Sequence, residues 1–230
     1  MFDQWYFLLV IPAVIISLIA SANVRGTFSK FDKFNVLSGV NSNDVVSRIF
    51  NKYGIYDVSI NNVRGKLTDN YNPKYKSLNL SESTANKSTI SAIGVAAHEV
   101  GHAIQYQKGY FPVRLRSTMV PVANIGSSLG IIFAIAGLWL SSELGSLLLT
   151  VGIALYSVVF IFTLVTLPVE FNASKRAVAA LSDMGIFTEE ELSGVKKVLR
   201  AAAWTYVAAM IATLANLLRL ILLSGRRGRR

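Results

Sequence analysis

Ile93-Gly94-Val95-Ala96-Ala97-His98-Glu99-Val100-Gly101-His102-Ala103-Ile104-Gln105 is the stretch around which the rest of the chain organises. The helix predicted there begins near Ser88 and runs to about Gln107, where Lys108-Gly109 stops it. Imidazoles four residues apart on a helix point the same way, about one turn apart, and can bind one metal ion from one face. Glu99 is turned roughly 100° from His98, so its carboxylate stands beside such an ion, where it can hold and deprotonate a water molecule.

The chain contains no Cys, and its two histidines are His98 and His102. Disulfides, thiolate zinc sites and cysteine nucleophiles are excluded, and a three-histidine zinc site is impossible within one chain. The third ligand must therefore be a carboxylate on another element. Glu170 is one candidate, within Leu167-Pro168-Val169-Glu170-Phe171-Asn172-Ala173-Ser174, where an apolar run ends and Pro168 can open a helical turn. Asp183 and Asp69 are its rivals.

Further out, the chain is apolar. Of 230 residues 52% are hydrophobic and 16% charged, with a mean hydropathy of +0.45. A soluble domain carries roughly a quarter charged residues, so part of this surface must face lipid. Gln4–Ala22 is an uncharged run long enough to cross the bilayer, and Asp3 before it has the wrong sign for a signal peptide. Ser117–Ser142 and Leu144–Val169 form a helical hairpin interrupted by Glu143. Ala201–Leu218 is a fourth uncharged run, with Thr205, Thr213, Asn216 and Arg219 near one stripe and Arg226, Arg227, Arg229 and Arg230 following. It either crosses or packs against the bundle.

The net charge of +10 is not spread evenly. Lys and Arg are absent from the apolar runs and collect beside them, including Arg25, Lys30, Lys33, Lys108, Arg114 and Arg116, then Lys175, Arg176, Lys196, Lys197 and Arg200. This is positive-inside marking, which puts residues 24–116 and 170–200 in the cytoplasm. No basic run is interleaved with aromatics, so no nucleic-acid partner is expected.

Between the first two spans the pattern is that of a small α+β domain. Ser42 can cap a helix bearing Val45, Val46, Ile49 and Phe50, closed by Gly54. Tyr56, Val58 and Ile60 alternate as a strand, and Leu78 and Leu80 alternate after the turn cluster Asp69-Asn70-Tyr71-Asn72-Pro73, giving a predicted hairpin. The expected division is 1–24 first transmembrane helix, 25–116 soluble domain, 117–169 transmembrane hairpin, 170–200 second-motif segment and 201–230 fourth hydrophobic helix with its basic tail.

The strings Ser91–Gln105 and Leu167–Ser174, with Val63-Arg64-Gly65 and Thr205-Tyr206-Val207-Ala208-Ala209, resemble the bacterial membrane-bound neutral zinc metallopeptidase family of the YugP type over nearly the whole chain. More remotely they resemble the HtpX and CAAX-prenyl protease group, where a second-motif Glu after a membrane hairpin completes the zinc site. The resemblance implies one zinc ion held by His98, His102 and Glu170, with Glu99 as catalytic base, in a gluzincin-like arrangement. It implies a mainly α membrane protein of three to four transmembrane helices with a small α+β zincin-like domain built around the HExxH helix. Asn70 and Asn72 stand where the family usually has His and Asp, and Ser174 where the remote group often has Asp.

The expected reaction is hydrolysis of peptide bonds in a polypeptide substrate at the lipid bilayer of a bacterial cell. With both histidines used, the oxyanion donor or outer support must come from Ser174, Asn172, Arg176 or Tyr206. The strand at Leu78–Ser81 is expected to offer an edge for an extended substrate. Two other classes compete: a non-catalytic membrane protein braced by zinc, and a protease with its metal inside the bilayer. Gly126, Gly130 and Gly137 would permit close helix contact in the second span.

Overall fold

The computed structural model describes residues 3–140 and 142–227; for Arg226 and Arg227 only the backbone is described. Ser141 of the expected hairpin turn and Arg229 and Arg230 of the basic tail lie outside the described residues. The protein is mainly helical. A π-helical turn at Tyr6–Val10 runs into α1 (Ile11–Phe31), followed by α2 (Ser42–Tyr53), β1 (Ser59–Val63), β2 (Asn70–Asn72), β3 (Ser77–Ser81), α3 (Ile90–Gln107), α4 (Phe111–Trp139), α5 (Glu143–Ser182) and α6 (Glu189–Arg227). Four of these helices, at Tyr6–Phe31, Phe111–Trp139, Glu143–Ser182 and Glu189–Gly225, are long and apolar enough to cross a membrane.

The chain divides into two compact units, and α1, α4, α5 and α6 each contribute to both. The first unit takes Met1–Ala20, Arg114–Pro168 and Thr205–Arg230. Its interior is thin, with Ala134, Leu149, Tyr156, Val159, Leu217 and Leu220 at the centre, while Leu8, Leu18, Ile19, Ile132 and Leu147 stand exposed. An inside-out distribution of this kind suits lipid. The polar stripe of α6 is satisfied inside the unit: Thr213 meets Thr163 at 3.1 Å, and the Arg219 guanidinium donates to Asp3 Oδ2 while lying over the Tyr6 ring.

The second unit takes Ser21–Val113 and Val169–Trp204. Its core joins Val45, Val46 and Ile49 of α2, Leu78 and Leu80 of β3, Ile93, Val100 and Ile104 of α3, and Ala177 and Leu181 of α5. α2 is capped by Asn41, whose side chain accepts from the Asp44 amide. Ser42, expected as the cap, is instead the first helical residue and donates its hydroxyl to the Thr84 carbonyl. Gly54 ends the helix in the left-handed conformation that only glycine adopts without cost. Thr89 caps α3 by accepting from the Ala92 amide, and donates its own hydroxyl to Asp32.

Three local expectations are corrected here. The expected hairpin is absent: β1 pairs parallel with β3, and the antiparallel partner of β3 is β2, giving the order β1-β3-β2. Alternation marks a strand but does not reveal its partner, and β2 is too short to alternate visibly. β3 is therefore central and offers no open edge to a substrate; at its end, Asp69 Oδ1 accepts from the Ser81 amide. Pro168 does not open a helix but lies within α5, which continues unbroken from Glu143 to Ser182. Apolar helices accept an interior proline where neighbours satisfy the freed carbonyl.

Candidate metal centre

The site is built from two helices of the second unit. α3 is buried along most of its length, and small residues on it let α5 approach. At Gly101, between the two histidines, a Cβ would stand 2.4 Å from the Ala173 carbonyl oxygen. Only a residue without a side chain allows that backbone contact. One turn earlier on α5, Glu170 reaches the same face of α3.

His98, His102 and Glu170 converge, each offering one ligand atom, with these atoms all within 4.8 Å of one another. Glu170 Oε2 lies 3.2 Å from His98 Nε2 and 3.6 Å from His102 Nε2, and its side chain is 3% exposed. The imidazole rings are nearly perpendicular, with centroids 4.8 Å apart. Of the rival carboxylates, Asp69 accepts from the amide and hydroxyl of Ser81, and Asp183 pairs with Lys52. Neither joins the cluster.

The tautomers follow from the hydrogen bonds. Gln105 is fully buried, and its Nε2 donates to the Val169 carbonyl at 2.7 Å and to Asn172 Oδ1 at 3.1 Å. Its Oε1 therefore faces His102 Nδ1, at 3.1 Å, and can only accept. The proton of a neutral His102 is thus on Nδ1, which leaves a lone pair on Nε2 facing the carboxylate. Two electron-rich groups cannot share that space unless a proton or a metal cation lies between them. Burial opposes a charge on His102, but the hydrogen bond with Glu170 and the fields of Glu99 and Glu170 outweigh it and raise its pKa above the ordinary imidazole value. The pocket asks for positive charge at this point, and a donor set of two imidazoles and one carboxylate suits zinc. His98 has the matching support, its Nδ1 lying 3.2 Å from Ser174 Oγ.

Glu99 is nearly buried, and among the described residues its carboxylate has no hydrogen-bond or ion-pair partner. Asn172 and Arg176 come together on α5, where Arg176 Nε donates to Asn172 Oδ1 at 2.7 Å and the guanidinium lies over Tyr110. Tyr206 is on α6 in the first unit.

A family model described as "Putative neutral zinc metallopeptidase" matches residues 6–225. The chain belongs to that zinc metallopeptidase family. A relative from Bacillus subtilis (strain 168), named "Putative membrane protease YugP", is 42% identical over 224 residues, covering 96% of this chain and 98% of its own length. No solved structure matches.

In this member of the family two residues near the histidines make contacts that sequence reasoning missed. Gln105 lies three positions after His102, where helical spacing brings side chains together, yet nothing in the sequence shows that its amide is buried and turned toward α5. Gly101 was visible as the fourth residue of the motif, but a close backbone approach is recorded only in the partner helix.

Proposed function

We propose that the chain is a membrane-bound zinc endopeptidase with a zincin-like, gluzincin-like centre in which His98, His102 and Glu170 hold one zinc ion. The observation that carries the reading is the convergence of these three donors, with both Nδ1 atoms engaged elsewhere and both Nε2 atoms turned to the carboxylate. When bound, zinc lowers the pKa of a water molecule toward about 7 and polarises the scissile carbonyl. Three protein ligands leave room for that water, which favours a catalytic over a bracing role.

Glu99, without another partner, takes the proton from the water and returns it to the leaving amine. Gln105 and Ser174 hold the two imidazoles in orientation. Arg176 is the best-equipped oxyanion donor: its Nε is fixed by Asn172 and its plane by Tyr110, while its terminal amino groups form no hydrogen bond among the described residues. Asn172 has the lesser role of positioning Arg176. The substrate is a polypeptide, of membrane or misfolded origin.

The proposed architecture has segments 1–24, 117–169 and 201–223 crossing the plasma membrane of a bacterium and 25–116 and 170–200 in the cytoplasm, in keeping with the charge asymmetry. In the test, Glu99→Gln retains one zinc per chain and an unchanged melting temperature but cleaves an unstructured test protein about a thousandfold more slowly. Undiminished cleavage would exclude Glu99 as the base. A water-soluble chelator should strip the metal from protein in sealed, inside-out vesicles without detergent; protection from it would put the site inside the bilayer.

A further inference from the structure

The second unit contains a groove of about 510 Å³ between the end of α5 and the start of α6, separate from the three clustered donors. Its floor is apolar, formed with Val178, Leu199 and Ala203, and three cations line it: Lys175, Lys196 and Arg200. Among the described residues no Asp or Glu lines it. Among the described residues these three exposed cations have no ion pair or hydrogen bond, in contrast to Lys52, Lys76 and Lys87, which pair with acids. Three positive charges held together without a counter-charge repel one another, and an anion seated among them removes that repulsion.

Position along the helices says which anion. The uncharged run of α5 ends at Val169, two residues before Phe171, and the uncharged run of α6 begins at Ala201, directly after Arg200. The cations therefore occur where both helices leave their apolar segments. Phe171 and Trp204, about half exposed, mark the same level with aromatic rings of the kind enriched at the bilayer surface. An apolar floor beside a cationic rim at that level matches a molecule with an acyl chain and a phosphate.

We propose that this groove binds the headgroup of an anionic phospholipid, with its phosphate among Lys175, Lys196 and Arg200 and the upper part of one acyl chain against Phe171 and Ala203 on the side of the apolar runs. An acidic stretch of polypeptide would satisfy the cations but has no need of the apolar floor. The groove borders the candidate centre, since Ser174, which contacts His98, also lines it. Lipid binding is nevertheless independent of the peptidase reading and is measured without turnover.

The experiment is native mass spectrometry of the full-length detergent-solubilised protein, mixed with equal amounts of phosphatidylglycerol and phosphatidylcholine. Phosphatidylglycerol should be retained at least about tenfold more, and each of Lys175→Gln, Lys196→Gln and Arg200→Gln should lower that retention roughly fivefold, in keeping with about 1 kcal/mol per basic residue near an anionic surface. The triple variant should lose it on the order of a hundredfold with zinc content unchanged, and should it fail to accumulate, the single variants decide. Lys197→Gln, on the same helix but outside the groove, should stay within about twofold of the native protein. Equal retention of the two lipids, or equal losses from Lys197→Gln and the groove variants, would overturn the proposal. Unchanged lipid retention with a raised KM for an acidic peptide in the triple variant would instead assign the groove to polypeptide.

Discussion

α5 is packed by glycine twice, and its two halves use the contact differently. In the first unit, Cβ atoms placed on Gly126, Gly137 and Gly152 would stand 2.5 to 2.6 Å from backbone atoms of the facing helix, α4 or α5, and the side chains around them are apolar. In the second unit, the contact of Gly101 with Ala173 is equally close, but it is surrounded by Glu170, Ser174, His98, His102 and Gln105. Where lipid supplies no hydrophobic drive between helices, close approach is itself the source of stability. In the second unit the same approach is the means of bringing donors on two helices within bonding range. One packing device thus serves cohesion in one half of α5 and the convergence of three candidate ligands in the other.

The largest effect should come from removing the donor that α5 delivers. Glu170→Ala should lower zinc affinity, measured by chelator competition, more than about a hundredfold, since loss of an outer support alone costs 10- to 100-fold. It also leaves the lone pairs of His98 and His102 without their carboxylate, so activity should vanish with the metal. If zinc content were unaffected, the third ligand would have to be sought at Asp183 or Asp69.

Gly101→Ala forces α3 and α5 apart, and Gly152→Ala does the same to α4 and α5. Each should destabilise the protein by about 1–3 kcal/mol, the usual cost of overpacking. Only Gly101→Ala should also lower kcat/KM, by about a hundredfold, because a shift of about 1 Å at a reacting centre has that consequence. Equal kinetic effects from the two variants would show that the halves of α5 are not distinct in role.

How far the sequence disclosed this arrangement depends on whether information was local. The extent of α3, the close of α2 at Gly54 and the four apolar helices were readable because capping residues, periodicity and hydropathy act within a few turns. The pairing of β1 with β3 was not, since strands of similar alternation can pair in either direction and the tertiary core decides. Pro168 misled because its cost in a water-exposed helix does not apply inside an apolar one. Among the candidate site residues, His98, Glu99 and His102 declared themselves by spacing on one helix. Glu170 had to be chosen among acids far apart in sequence, and Gln105 stayed hidden because an amide carries no charge or motif to flag it.

Gln105→Ala tests that hidden position. It removes the acceptor of His102 Nδ1 and the tie to the Val169 carbonyl, so zinc affinity should fall 10- to 100-fold. Gln105→Glu retains an acceptor for His102 but meets the Val169 carbonyl oxygen with a carboxylate oxygen, so it should keep more of the metal affinity than of the stability. Equal affinities of both variants and the native protein would remove Gln105 from the support of the centre.

The smallest effect is expected at Ser174, and its sign is informative. Its hydroxyl can accept from His98 Nδ1 at 3.2 Å, but a neutral hydroxyl polarises an imidazole weakly. Ser174→Ala should therefore lower zinc affinity only several-fold, with little change in melting temperature because the side chain is only partly buried. Ser174→Asp would replace it with an ionised acceptor, which makes His98 a more basic ligand and should tighten zinc binding beyond the native value. The added negative charge also lies beside Lys175, which limits its cost to the fold. If Asp weakened binding as much as Ala did, the contact with His98 would be a matter of packing, and the orientation of that imidazole would rest on α3 and Glu170 alone.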